Sequence, residues 1–429
     1  MARDDDKRTE TEDAGGKHAR HADGKHTITR RGVIGATAAV GVTAAAIGIA
    51  VSRSGSDPNE DSALNDTPVV VDSDEGGRDI LTSFSEKGSS YEATATYELP
   101  VGSVLLPAEG TWIPVMTAGE SASPMVTASA FSASSGDVVQ VLDGPVTEGS
   151  NIEIYQARCS DSVYAWVELD LLTRSWWLYA APFSSGAISG NVVTLWSATS
   201  DWDPAPFCCT GTHVVWQVQP SLSGTKTAET SECYLWTVGD SEAQKVLSSV
   251  GRFAGSPTPS EGTVTVVPRV RNDEGTYYGI TAYDVEDGFK TPIDQLVMPS
   301  TVKPFKAVRV GDQFAFSVEA SYESGGLLGS MGYYVGTAND DDILYLSREP
   351  AADIACVNNT LLIKCRSFYY VVNLEEESYG YLAAVNRCTE YGEYPARVGT
   401  VSNFVTYSTV NNQDTGYPDH VEVRVFDFS

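Results

Sequence analysis

Arg158-Cys-Ser-Asp-Ser-Val-Tyr-Ala-Trp166 decides how this chain is read, because its plan returns about fifty residues later as Cys208-Cys-Thr-Gly-Thr-His-Val-Val-Trp216. Each copy has a Cys, a small polar turn and an apolar run that ends on Trp. A similar step forward reaches Glu261-Gly-Thr-Val-Thr-Val266 and Gly311-Asp-Gln-Phe-Ala-Phe316. Shorter steps reach Asn358-Asn-Thr-Leu-Leu-Ile363 and Val401-Ser-Asn-Phe-Val-Thr406, and a step backwards lands on Gly110-Thr-Trp-Ile-Pro-Val-Met116. The repeat anchors are therefore Met116, Trp166, Trp216, Val266, Phe316, Ile363 and Thr406.

One unit reads strand by strand. Ile152 to Arg158 alternates, Ser160-Asp-Ser162 turns, and Val163 to Asp170 alternates again. Thr173-Arg174 turns, Ser175 to Ala181 is a third run, and a Ser/Gly-rich turn leads to Val192-Val-Thr-Leu-Trp196. Four short strands per period, joined by polar turns, describe one antiparallel blade. Third strands end in acidic turns such as Tyr283-Asp-Val-Glu-Asp-Gly288 and Val372-Asn-Leu-Glu-Glu376. In this the chain resembles the β-propellers of the TolB and WD-repeat-like type, over residues 91–429. The resemblance is architectural, since the Gly-His and Trp-Asp marks of WD-repeat blades do not recur. It implies an all-β, seven-bladed propeller; a pair of large β-sandwiches with chance periodicity is the competing reading. The last unit has three strands of its own, ending in His420 to Phe426, and a blade one strand short leaves an open edge. Tyr91-Glu-Ala-Thr-Ala-Thr-Tyr-Glu-Leu99 has no unit of its own, so it is expected to close the last blade as its fourth strand.

The N-terminus is organised differently. Residues 1–31 are polar and charged and precede Thr29-Arg30-Arg31-Gly-Val-Ile-Gly, after which residues 32–51 carry no charge. This resembles a twin-arginine export signal with Arg30 and Arg31 as its pair, and implies passage through the twin-arginine translocase to the outer face of the membrane. Val33 and Gly35 depart from the residues preferred there. A helix of this length can cross a bilayer, so residues 32–51 are expected to remain as a transmembrane anchor, because the apolar run continues past possible cleavage sites after Ala46 and Ala50. Cleavage and secretion are the alternative. Residues 52–90 are rich in Ser, Asp, Glu and Gly and read as an acidic disordered tether.

The chain holds 57 Asp and Glu against 28 Lys and Arg, a net charge of −29. Such a surface repels phosphate backbones, so no nucleic-acid partner is expected and cations or a basic partner surface suit it better; simple solubility or adaptation to salt is the plainer account of the excess. Cys159, Cys209 and Cys356 lie at one repeat position on innermost strands, where Cys acts as a small buried hydrophobe. Thiols are expected there, and Cys365–Cys388 is the one pairing left open.

Catalytic signatures are sparse. Beyond the tether only His213 and His420 occur, and there is no Gly-x-Ser-x-Gly elbow, phosphate loop or Cys-x-x-Cys pair. No cofactor is expected. His213 opens a strand at the position of Val163, a structural place. Asn339-Asp-Asp-Asp342 offers Asp340, Asp341 and Asp342 as oxygen ligands for a hard cation, though Asp runs also favour turns. Asp201-Trp202-Asp203 joins two units in a loop at a propeller mouth, where a Trp between carboxylates suits a glycan or peptide; packing between blades is the plainer role. All eight Trp lie between 112 and 236, marking either a binding face or a region with a bulkier core. The expectation is an exported binding or scaffolding module for an extracellular protein or glycan, with a glycan hydrolase using paired carboxylates as the alternative.

Overall fold

The computed structural model describes residues 77–428 except 89–90, 119–123, 227–228, 273–274, 299–301, 319–331, 337–342, 348–352, 366–367 and 386–391. Arg30, Arg31, the apolar run 32–51, residues 52–76, Asp340, Asp341, Asp342 and Cys388 lie outside the described residues.

The described chain is almost wholly β, arranged in seven sheets. Sheet 1 comprises Ser103–Leu105, Trp112–Thr117, Ala128–Ser132 and Val138–Leu142, hydrogen-bonded in that order. Sheet 2 comprises Ile152–Cys159, Val163–Asp170, Trp176–Ser184 and Val193–Ala198, and sheet 3 Phe207–Thr210, His213–Val218, Ser231–Thr237 and Gln244–Ser249. Sheet 4 follows with Thr258–Ser260, Thr263–Val266, Gly275–Asp284 and Pro292–Val297, and sheet 5 with Pro304–Val310, Gln313–Val318, Gly332–Gly336 and Leu344–Leu346. Sheet 6 is Ala355–Val357, Thr360–Lys364, Phe368–Asn373 and Ser378–Ala383. Sheet 7 is Glu393–Pro395, Phe404–Asn411 and Pro418–Phe426, completed by Ala95–Pro100, which runs antiparallel to Pro418–Phe426 with Tyr97 opposite Val423.

Every repeat anchor lies in the second strand of its sheet, and all seven are buried. The reason is visible in sheet 2. Val163–Asp170 is buried at every position but the last, because neighbouring sheets cover both of its faces, so it reads as a nearly continuous apolar run. Outer strands such as Val138–Leu142 alternate between exposed and partly buried positions, having one face in water. Turns between first and second strands repeat for a geometric reason. Glu261 and Gly262 have φ of 49° and 75°, and Asn358 and Asn359 have 47° and 59°. Two successive positive values make the hairpin turn that matches strand twist, and Asn and Gly tolerate it best.

The core is distributed between the sheets. Trp166 and Ile154 of sheet 2 pack with Met116 and Ala130 of sheet 1, and Trp176 of sheet 2 with Trp216 and Trp236 of sheet 3. The series continues through sheets 3 and 4, 4 and 5, 5 and 6, and 6 and 7. It closes where Leu99, Val421 and Val423 of sheet 7 meet Ile113, Val115 and Phe131 of sheet 1. A cyclic series of small antiparallel sheets, each packed on the next, is a β-propeller. Trp166, Trp176, Trp216 and Trp236 are at most 1 % exposed, so the clustering of Trp reflects core filling between sheets 1, 2 and 3.

Residues 78–86, inside the stretch read from sequence as a disordered tether, are built onto the ring. Arg78–Asp79 pairs in parallel with Leu344 and Tyr345, and Ser85–Glu86 with Ser378 and Tyr379. Between them the single helical turn Ile80–Ser83 is capped by Asp79, whose Oδ1 accepts from the Leu81 amide at 2.9 Å. Ile80 and Phe84, 1 % and 6 % exposed, enter the core between sheets 5 and 6. Burial of these two side chains holds the segment, a staple that spans two outer edges.

Candidate functional site

Propeller recognition uses the axis or the two faces, and strand order defines all three. The first strands of the sheets line the axis. There a cavity of about 40 Å³ is bounded by Ala108, Cys159, Cys209, Pro259, Lys306 and Val398, among others. Gly399–Thr400 leaves sheet 7 to pair in parallel with Ala355 and Cys356 of sheet 6, and Arg397 bridges Ala108 of sheet 1. Arg397 is 2 % exposed; its Nε and Nη2 donate to Asn403 Oδ1 at 3.2 and 2.8 Å, and its Nη1 donates to the Gly110 carbonyl. Burial lowers its pKa to about 10, against the opposing pull of the Cys159 and Asp161 charges.

The axial thiols are poor nucleophiles. Burial pushes Cys159 and Cys209 well above the ordinary thiol range, and Cys233 up to about 12. Cys159, Cys208, Cys209, Cys233 and Cys356 are buried free thiols, and Cys159, Cys209 and Cys356 share the inner-strand position expected from the repeat. The Cys365–Cys388 pairing falls partly outside the described residues.

At one mouth of the axis, the first-to-second turns bring Glu109, Asp161 and Glu261 near one another. Burial raises the pKa of Glu109, opposed by hydrogen bonds from Thr210 and the Glu261 backbone and reinforced by the Asp161 and Glu261 charges. Asp161 is already used: its Oδ1 accepts from the amides of Thr111 at 2.8 Å and Trp112 at 3.3 Å, and its Oδ2 from Thr111 Oγ1 at 3.1 Å. No group of His, Cys, Asp and Glu among the described residues has the arrangement of a metal site.

Asp201, Trp202 and Asp203 lie where sheet 2 passes to sheet 3, and all three are partly buried. Trp202 packs against the core of those two sheets, bridges Pro220, and accepts from Trp176 Nε1 at 3.0 Å through its carbonyl. The Lys226 ammonium lies 5.3 Å from its ring centre. Asp203 pairs with Arg252 at 2.7 Å. The trio thus joins two sheets, with part of the indole left open to solvent. His213 is 5 % exposed, with Nδ1 3.1 Å from Thr237 Oγ1 and Nε2 3.0 Å from Glu286 Oε1, which ties sheet 3 to the acidic turn of sheet 4.

Sequence reading missed the buried carboxylates that shape the loops of this face. Glu168 is fully buried and accepts from the amides of Val146 at 2.7 Å and Thr147 at 2.8 Å and from Trp166 Nε1 at 2.9 Å. Glu393, 1 % exposed, accepts from the Val385 amide at 2.7 Å and pairs with Arg424 at 2.5 Å. Each holds a loop between two sheets. The only sequence signal was an acidic residue at the edge of an apolar strand, which reads equally as a solvated position.

No protein-family model and no curated protein matches this chain. Among solved structures it is similar to the β-propeller domain of the Trilobed protease from Pyrococcus furiosus, at 8 % identity and TM-score 0.47, over 79 % of this chain and 95 % of that one. It is also similar to puromycin hydrolase, at 12 % identity and TM-score 0.45, over 82 % of this chain and 56 % of that one. The WD40 β-propeller domain of Doa1 aligns at 10 % identity and TM-score 0.38, over 81 % and 96 %. The propeller assignment rests on this chain's own strand order and cyclic core.

Proposed function

We propose that this chain is an exported seven-bladed β-propeller, closed by residues 95–100, that acts as a binding or scaffolding module for an extracellular protein or glycan. The small cavity beside Cys159, Cys209 and Pro259 is the observation that carries the reading. Small-molecule pockets usually enclose roughly 300–1,000 Å³, whereas a cavity of about 40 Å³ has space for about one or two waters. That cavity is too small to hold a sugar or a peptide, which turns the reading towards recognition by the loops. Glu109, Asp161 and Glu261 give the glycan-hydrolase alternative its carboxylates, but Asp161 is already occupied by the Thr111 and Trp112 amides and the Thr111 hydroxyl.

Export rests on Arg30, Arg31 and the uncharged run 32–51, which would engage the twin-arginine translocase and then hold the ring at the outer face of the membrane or be cleaved to release it. Among the described residues no helix is long and apolar enough to cross a membrane. Incubating the purified full-length protein with cell-wall glycans and cell-surface protein extracts, and measuring both retention and turnover, tests the reading. Saturable retention with no product is expected; steady release of sugar fragments would replace the binding module with the hydrolase.

A further inference from the structure

Antiparallel strand order assigns every turn to one face of the ring. Turns from first to second and third to fourth strands lie on one face. Turns from second to third strands, and passages between sheets, lie on the other. Leu172, Leu222 and Tyr417 are 74, 76 and 75 % exposed and occupy the second-to-third turns of sheets 2, 3 and 7. Val101, Val126, Val146 and Val385 share that face, whereas among the described residues Val138, Val192 and Ile293 lie in or beside turns of the opposite one. Single exposed apolar residues need no explanation; their collection on one side of a ring does.

The loops that carry them are fixed from below. Glu168 holds the Val146 loop and Glu393 the Val385 loop, while the Ser221 amide donates to the Asp201 carbonyl at 2.8 Å beside Leu222. A surface already held in place loses less conformational freedom on binding. Its charge is also specific. Of the bases in these loops, Arg252 is engaged by Asp203 and Lys226 by Glu229 at 3.2 Å and the Trp202 ring. The remaining charges in the described loops of this face on sheets 7, 1, 2 and 3 include Arg174 and the carboxylates of Asp143, Glu148, Asp201 and Asp414. The face is apolar at its tips and acidic between them. The stapled segment begins on the other side, with Arg78 opposite Leu344 at the start of a fourth strand.

We infer that the face carrying Leu172, Leu222, Tyr417, Val101, Val126 and Val146 docks a polypeptide presenting apolar side chains within a cationic surface. The inference rests on the binding-module reading and names its partner class. Exposed leucines supply the apolar contact, and the carboxylates together with the net charge of −29 supply steering and orientation.

The probe is a labelled helical peptide of Leu and Lys with its leucines along one side, titrated into the full-length protein and read by fluorescence anisotropy. A peptide of equal charge with Ser for Leu is the control. Saturable binding of the Leu peptide is expected, at least tenfold weaker for Leu172→Ser with Leu222→Ser and unchanged for Val192→Ser on the opposite face. Those side chains are exposed, so an unaltered melting temperature accompanies the loss. Equal binding by the double variant, equal binding of the Ser peptide, or no binding of the Leu peptide overturns the inference. Retention of surface extracts that is unaffected by the double variant would leave the binding module standing and remove this face from it.

Discussion

Ser260 Oγ lies 3.1 Å from both Oγ1 and the amide nitrogen of Thr400, donating to the first and accepting from the second. Ser260 belongs to sheet 4 and Thr400 to the strand that sheet 7 lends to sheet 6, so one hydroxyl links strands that do not neighbour each other around the ring. The contact requires Gly399 to run directly against sheet 4.

Gly399 is accordingly the glycine whose replacement has the largest effect. Its φ is 75°, and a β-carbon there would stand 2.2 Å from the Pro259 carbonyl oxygen. Gly399→Ala is expected to cost roughly 2–5 kcal/mol, the sum of a left-handed backbone for a non-glycine residue and forced repacking. Gly311→Ala, with φ 61° and open space around it, meets the backbone cost alone, about 1–2 kcal/mol. Urea denaturation of both variants checks the ordering, and equal losses would show that sheet 7 does not press on sheet 4.

Truncation separates the tether from the ring. A chain starting at residue 77 should melt as the full chain does. Starting at residue 89 removes Ile80 and Phe84 from the core, about 1.5–3 kcal/mol each, along with the Arg78–Glu377 pair, which is solvent-exposed and contributes little. Starting at residue 103 also removes the edge strand opposite Pro418–Phe426, and several backbone bonds at about 0.5–1.5 kcal/mol apiece approach the margin by which a domain is held folded. Melting temperatures should fall in that order, with aggregation of the shortest chain. Indistinguishable melting of the chains starting at 89 and 103 would refute closure by residues 95–100.

Glu168→Ala should destabilise by roughly 3–5 kcal/mol, because it leaves two amides and an indole N–H buried without an acceptor. Hydrogen exchange at Val146 and Thr147 should accelerate in parallel. Unchanged exchange there would mean that the loop is held by something other than this carboxylate.

Lys364 is 1 % exposed, lies 5.4 and 5.3 Å from the ring centres of Tyr369 and Tyr394, and donates to the Cys365 carbonyl. Burial lowers its pKa to about 8, although the Glu393 charge acts to raise it. An ammonium whose folded pKa is below its unfolded value of about 10.4 binds fewer protons folded than unfolded between those limits. Its contribution therefore becomes more favourable as pH rises from about 8 to 10. Denaturation of the wild type and Lys364→Met across that window should show stability shifting towards the wild type with rising pH; a constant difference would mean that Lys364 keeps an ordinary pKa.

Replacing Arg30 and Arg31 together by Lys is expected to abolish export and leave the folded ring in the cytoplasm. Protease accessibility on intact cells measures it. Undiminished surface appearance would assign export to another route.

The repeat anchors were legible because second strands are covered on both faces, and a strand without a water-facing side must be apolar throughout. Tyr91 to Leu99 was legible as an orphan strand facing an incomplete unit. Other features were hidden for equally physical reasons. The staple consists of two bridges of two residues each, and its only trace is Ile80-Leu81 and Phe84 within a polar stretch. Glu168, Lys364, Glu393 and Arg397 are charged side chains in the interior, and one-dimensional patterning places charges at the surface. Several partners lie outside their own strand: the Val146 and Thr147 amides for Glu168, the Val385 amide for Glu393 and the Gly110 carbonyl for Arg397. Trp202 was offered as either an open ligand platform or inter-sheet packing, and it packs with one edge open.

The pairing of residues 95–100 with 418–426 also sets a timetable. Thr94 hydrogen-bonds to the Val425 carbonyl 331 residues on, so a growing chain holds residues 95–100 without their partner strand until residues 418–426 have been made. At about 5–20 residues per second that wait is roughly 15–65 s, during which sheets 1 to 6 can stack in order while both ends of the arc stay sticky. The ring locks only once residues 418–426 have been made and released, and a product terminated before them is left with two raw edges that invite aggregation or proteolysis.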